Sequence, residues 1–293
     1  MHVLVLGANG LLGSNVLMEC LARNDVVVGT YHTEPPEIDV ACRKLDITNK
    51  KETIALLEEI TPDVAINCAA MTDVDGCEAA PERAMEVNGT APGAIASACA
   101  ERDIEFIHVS TDYVFDGVDG TPYEQSANPN PVQVYGETKL AGERAVREHH
   151  SNPIIARLSF VYGIHRGNDE LTGFPAWVRS KIDSREEVPL FTDQTVTPTR
   201  AGQAATTLRD LCQERHAGTY HIACRSCISP YEFGAQICER MDASVDLLAE
   251  GKLADVDRPA RRPADTCLAV DAVEDALGRP QPTLSADLDT IIT

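Results

Sequence analysis

The sequence predicts a doubly wound α/β fold: a parallel sheet covered by helices on both faces, followed by a small C-terminal domain. Three observations lead there. An apolar run at residues 3–6 (VLVL) is followed by glycines at 7, 10 and 13 and then by a helical stretch. Strand and helix patterns alternate through the first half of the chain, which implies β-α-β units and a parallel sheet. Right-handed crossovers then wind the sheet in both directions. The last third is less regular, with a charged, proline-interrupted tail at residues 249–263.

The elements follow in order. Residues 3–6 are too few to span a bilayer and suit a buried parallel strand. Residues 11–23 read as helix, 26–31 as the second strand, 50–60 as helix and 63–67 (DVAIN) as the third strand. A long helix is expected over 81–101, a fourth strand over 104–109, a helix over 134–148 and a strand over 154–158 (IIARL). Residues 163–173 are polar and glycine-containing, a loop beside the site. Residues 219–223 (TYHIA) give a further strand and 230–241 a helix. No internal repeat or low-complexity linker interrupts this pattern.

Composition narrows the partners. The chain of 293 residues carries 46 Asp plus Glu against 25 Lys plus Arg, a net charge of −21. Such a charge repels phosphate backbones and argues against nucleic acid. No segment is apolar and long enough to cross a membrane, and no signal peptide is evident before the first strand, so a cytoplasmic location is expected. An acidic surface with only six lysines resembles proteins of salt-loving organisms, where concentrated salt screens self-repulsion. The ten cysteines are expected to be reduced and buried, as Cys20, Cys68, Cys99 and Cys238 are within apolar stretches. The C-x-x-C of Cys224 and Cys227 lacks a second pair, so no metal site is expected.

The chemistry sits after the strands, where a doubly wound sheet places its ligands. Gly7, Gly10 and Gly13 permit a tight turn and close backbone approach, and the helix that starts at Leu11 offers its N-terminus to a pyrophosphate. Asn9, Leu11 and Leu12 belong to the same turn. After the third strand comes Asn67, Cys68, Ala69 and Ala70, small groups past which a cofactor can run. After the fourth come Ser110, Thr111 and Asp112, within residues 110–117 (STDYVFDG). Tyr135 and Lys139 are four residues apart in a predicted helix and share one face. An ammonium beside a phenol favours the phenolate, so the pair can trade a proton with a carbonyl or hydroxyl. The second strand ends without a carboxylate before Glu34, so a ribose 2′-phosphate meets no repulsion there and His32 or Arg43 can assist it. NADPH is therefore favoured, with NADH possible.

Taken together, the glycine turn, residues 110–117 and residues 135–143 (YGETKLAGE) resemble the extended short-chain dehydrogenase/reductases, and within them the dTDP-4-dehydrorhamnose reductases. Residues 157–163 (RLSFVYG), 193–199 (DQTVTPT) and 262–268 (RPADTCL) agree. The resemblance implies a Rossmann-type NAD(P)-binding domain over 1–156, with 194–223 returning to it. It implies a substrate-binding domain formed by 157–193 and 224–293. It implies hydride transfer to the C4 ketone of a nucleotide-linked 4-keto-6-deoxysugar, most simply dTDP-4-dehydro-L-rhamnose. Tyr135 would donate the proton, Lys139 would lower its pKa and hold the nicotinamide ribose, and Thr111 would bind the ketone oxygen. Asp46 and Ile47 would lie beside the adenine. Ser110, Asp112, Val114 and Phe160 would face the sugar. Phe160 stands where the family usually has tryptophan, and Asp265 and Thr266 also depart from its pattern, which leaves the sugar open. No metal is carried over, and a homodimer is a possible assembly. Two alternatives share the scaffold: a regulatory subunit like methionine adenosyltransferase β, and an epimerase or dehydratase. The first has no need of Thr111, Tyr135 and Lys139 together, and the dehydratases add acidic residues after the threonine.

If the acidic surface is matched to salt, the melting temperature rises from dilute buffer to molar KCl. An unchanged melting temperature would contradict this reading.

Overall fold

The computed structural model describes residues 1–118 and 122–292. Its strands are β1 (His2–Leu6), β2 (Val26–Tyr31), β3 (Ala41–Lys44), β4 (Val64–Asn67), β5 (Glu105–Thr111), β6 (Ile154–Leu158), β7 (Val161–His165), β8 (Glu170–Thr172), β9 (Val188–Phe191), β10 (Thr199–Arg200), β11 (Gly218–His221) and β12 (Leu248–Gly251). Seven of them form one sheet in the order β11-β6-β5-β4-β1-β2-β3, every neighbouring pair parallel. The order reverses between β1 and β4. A crevice opens at that switch point, beyond the carboxyl ends of the strands.

Alternation along β1 explains the two layers. Val3 and Val5 point to one face, where helices α1 (Leu11–Ala22) and α8 (Ala201–Gln213) cover them with Val16, Leu17, Ala204 and Leu208. Leu4 and Leu6 point to the other. There, α2 (Lys50–Ile60) and α5 (Ala91–Ala100) bring Leu56, Leu57, Ile95 and Cys99. Both faces are apolar because both are buried. A separate core joins Tyr162, Leu190 and Phe233 to Val178 of α7 (Phe174–Asp183) and Ile237 of α9 (Pro230–Arg240).

The expected helix over 81–101 is one helical run with a defect. After α4 (Pro81–Ala84), residues Met85–Thr90 form a π-turn before α5. Pro92 has no N–H to offer the carbonyl four residues back, at Asn88, so the ladder shifts there. The turn is put to use. Asn88 exchanges hydrogen bonds with the Met71 backbone at 2.8 and 2.9 Å, and its carbonyl oxygen approaches α6 (Val134–His149) so closely that a Cβ on Gly142 would lie 2.2 Å from it.

Several elements escape the sequence pattern, and residues 163–173, expected as a loop, instead carry the end of β7 and all of β8, an antiparallel pair with Gly163 opposite Thr172. β3 and α8 show why such elements are hidden. β3 is a largely exposed edge strand, with no apolar alternation to betray it. α8 buries Gln203, Thr207 and Arg209, and these polar groups mask its inward face. The cysteine expectation also needs correction. Cys227 forms a disulfide with Cys267, 40 residues away, with the Cα atoms 5.5 Å apart. That tertiary juxtaposition lies in the bridging range, and nothing in the spacing of Cys224 and Cys227 announces it. The other eight cysteines are free, with Cys20, Cys99 and Cys238 buried and Cys68 half-buried.

Gly142→Ala should destabilise the protein by about 1–3 kcal/mol, because the new methyl meets backbone rather than a yielding side chain. Chemical denaturation in molar KCl measures this, and an unchanged midpoint would contradict the close packing of α6 on the π-turn.

Candidate active site

The glycine turn is built by crowding. Gly7 has φ +78°, and a Cβ there would lie 2.7 Å from Ala69 N; a Cβ on Gly13 would lie 2.2 Å from Gly7 O. Only glycine lets β1, the start of α1 and the end of β4 meet this closely. Gly10 is the N-cap of α1 and no side chain caps it, so the first N–H groups of the helix remain available to an anion. A cleft of about 670 Å³ opens there, within the ~300–1,000 Å³ usual for small-molecule sites. Gly7, Asn9, Gly10, Leu11, Leu12 and Gly13 line one end of it, with His32 and with Cys68, Ala69 and Ala70 along its floor. Tyr135, Lys139, Ser110, Thr111, Asp112 and Phe160 line the other end.

Asp46 and Ile47 line an adjoining hollow of about 270 Å³ that shares Gly7, His32, Ala69 and Ala70 with the main cleft. The Asp46 carboxylate is 3.4 Å from Arg83 and 3.7 Å from the exposed His32 imidazole. Arg83 lines the same hollow, and its place on α4 gave no signal in the sequence. Asn67 is buried rather than part of the lining; its side chain bonds Ala69 N and the His108 ring, shaping the turn that carries Cys68, Ala69 and Ala70.

Helix α6 starts where the Gln133 side chain caps Gly136 N, and Glu78 accepts from Val134 N. Gly136 lies against Tyr113 O, where a Cβ would be 2.0 Å away, so the helix enters the cleft at the end of β5. Lys139 is buried, and its Nζ donates to Val109 O at 2.6 Å. Burial pushes its ammonium down to about 8. Burial likewise pushes the Tyr135 phenol up from its ordinary value, opposed by a hydrogen bond with Thr111. The expected lowering of the tyrosine by lysine is therefore not what this pocket shows: desolvation of the phenolate wins, and Tyr135 is held protonated. A protonated phenol is the form that can donate to an alkoxide.

Beside it, Thr111 Oγ1 donates to Asp112 Oδ1 at 3.0 Å and Ser159 Oγ donates to Asp112 Oδ2 at 2.7 Å. Burial nevertheless pushes the Asp112 carboxyl up to about 6. Ser110 lines the cleft, but its hydroxyl donates to Glu143 Oε1 at 2.7 Å, so its proton is committed away from a ligand. Val114 is a correction. It is fully buried with Phe115, Tyr123, Leu140 and Leu268 and does not reach the cleft. The residues between Asp112 and Val114 form a 3₁₀ turn, which rotates Val114 inward. Phe160 does reach the cleft. It holds φ +46°, rare for an aromatic residue, and packs against Phe174 and Phe233 at 5.3 and 6.3 Å.

The residues fit a dinucleotide: an uncapped helix N-terminus behind a glycine turn, small side chains along the floor and a lysine at the far end. Sequence reasoning gave no role to Glu143, Ser159 or Arg83. Glu143 alone left a signal, standing four residues beyond Lys139 as Lys139 stands beyond Tyr135.

Comparison with known proteins agrees with this geometry. The family model described as the RmlD substrate binding domain matches residues 1–293. A protein of Haloferax volcanii named "Probable low-salt glycan biosynthesis reductase Agl14" is 49% identical over 288 residues, covering 98% of this chain and 96% of that protein. The dTDP-4-dehydrorhamnose reductase of Escherichia coli is 32% identical over 278 residues, 92% and 89% of the two chains. Among solved structures, a dTDP-4-dehydrorhamnose reductase from Bacillus anthracis in complex with NADP superposes with a TM-score of 0.85 at 27% identity, covering 99% of this chain and 98% of that one. The chain belongs to the RmlD substrate-binding domain family and is an oxidoreductase of that family.

Proposed function

We propose that the protein reduces the C4 ketone of a nucleotide-linked 4-keto-6-deoxysugar, with dTDP-4-dehydro-L-rhamnose the leading substrate and NADPH the favoured cofactor. One observation carries this reading. The glycine turn and the Thr111, Tyr135 and Lys139 constellation line a single cleft. The names of the relatives support a keto-sugar reductase, and the name of the Haloferax protein supports a role in glycan biosynthesis.

Ala69 and Ala70 would flank a reduced nicotinamide, whose chemistry when bound would be to supply hydride. The chain's own groups then handle the oxygen. Thr111, whose hydroxyl donates to Asp112, would turn it to the ketone oxygen, and Tyr135, kept protonated by burial, would give its proton as negative charge develops there. Lys139 holds positive charge in the same cleft and would offer a donor to the nicotinamide ribose. Phe160, fixed by Phe174 and Phe233, presents an apolar wall to the sugar. Its ring is smaller than the tryptophan usual in the resembling enzymes, which supports a pocket with room for a different sugar. After β2, His32 and Thr33 line the cleft together with Glu34, and the absence of a carboxylate at the strand end itself supports NADPH.

The test is purified protein in molar KCl with NADPH and dTDP-4-dehydro-L-rhamnose, following loss of the reduced cofactor. Failure with this and other 4-keto-sugar nucleotides would contradict the proposal. Tyr135→Phe should slow turnover by about 10²–10⁴-fold, the scale of a lost general acid, while cofactor binding is kept. Normal turnover in that variant would place the proton donor elsewhere.

A further inference from the structure

We propose that Glu143 is a positioning residue for the Tyr135–Lys139 pair: its buried carboxylate, clamped by Arg157 and Ser110, keeps the Lys139 ammonium charged inside the cleft. The proposal builds on the reading of the cleft as a ketone-reducing site.

Tyr135, Lys139 and Glu143 follow one another at four-residue steps, on one face of α6. Glu143 is fully buried and accepts from Arg157 Nε and Nη2, both at 2.8 Å, from Ser110 Oγ at 2.7 Å and from Arg147 Nη2 at 3.2 Å. Arg157 on β6 is itself buried, so the two-pronged bond is shielded from solvent. Burial works against ionising Glu143, but Arg157, Ser110 and Arg147 outweigh it, and the carboxyl lies below its ordinary range. Lys139 has no such set. Its ammonium donates to the neutral carbonyl of Val109, and burial drives it toward loss of its proton.

The groups facing Lys139 come from each element packed against it. Glu143 on α6 is the strongest charge opposing deprotonation, followed by Cys68 after β4 and Cys77 on α3 (Val74–Ala79). Both thiols are pushed by burial well above neutrality, so neither carries charge near pH 7. His108 on β5 is held neutral by burial, and His221 on β11, beside Arg157, is pushed down to about 3. Near neutral pH, Glu143 is therefore the one ionised group among these that favours the Lys139 ammonium, and it does so while also holding the cationic Arg157 and Arg147.

A purely structural staple between α6 and β6 needs no charge, since a well-packed apolar pair of similar volume holds two elements as well. The titration of Lys139 separates the two roles. The chain has only six lysines, so isotope labelling with Lys139→Arg as reference assigns the Lys139 side-chain resonance. In Glu143→Gln the midpoint of Lys139 should fall by ~1–3 units, the scale for losing a nearby opposite charge, and Glu143→Asp should restore most of it. If Glu143→Gln does not fold, because Arg157 is left buried without a partner, the Glu143→Gln/Arg157→Met double variant carries the same test. An unmoved midpoint in a folded variant would overturn the proposal. Because Lys139 loses its proton as pH rises, the upper limb of the kcat profile should move to lower pH by the same amount. If the wild-type protein reduces no keto sugar, the proposed function falls, and the Lys139 titration still decides the role of Glu143.

Discussion

Helix α6 lies closer to its neighbours than any residue but glycine allows, and the site depends on that approach. Gly136 touches the carbonyl of Tyr113 and Gly142 that of Asn88. Between these points the Lys139 side chain reaches the backbone of β5. The first contact sets where the helix enters the crevice and the second holds its middle against a π-turn forced by Pro92. With its start and its middle fixed, the helix holds Tyr135 at the carboxyl end of β5, in the cleft that the glycine turn also lines. Side chains in close-packed interiors have little room to drift, so the geometry is inherited from the packing.

The electrostatics follow from the same closeness. Packing excludes water from Lys139, and burial then disfavours every isolated charge in the cleft. Tyr135 stays protonated, Asp112 is pushed up to about 6 and Lys139 is pushed down to about 8. Without an opposing charge, burial would push Lys139 further toward loss of its proton. Glu143 places a carboxylate one turn from Lys139, and its bonds to Arg157, Ser110 and Arg147 outweigh the burial that would otherwise neutralise it.

Much of this was legible in the sequence because it is local. The β1–glycine–α1 turn, the alternating strands and the four-residue step from Tyr135 to Lys139 are read over short distances, where periodicity reports which face is buried. What escaped depends on tertiary contact. Ser110 looks like a ligand group until Glu143, 33 residues away, accepts its hydrogen bond. Val114 sits two residues after Asp112, yet the 3₁₀ turn points it into a separate core. The disulfide joins cysteines that no spacing rule pairs, and α8 hides its apolar stripe behind buried Gln203, Thr207 and Arg209. Electrostatic direction was the subtler miss. Proximity to lysine suggested an easily ionised tyrosine, whereas desolvation acts more strongly on a phenol in this cleft.

The central claim is that the cleft joins a hydride donor to a sugar ketone and leaves the proton to the chain. The most direct measurement is reduction of dTDP-4-dehydro-L-rhamnose with NADPH deuterated at the transferable position of C4, with the product examined by NMR. The account predicts a single deuterium at C4 of the sugar. Deuterium at another carbon, or a product with none, would contradict it.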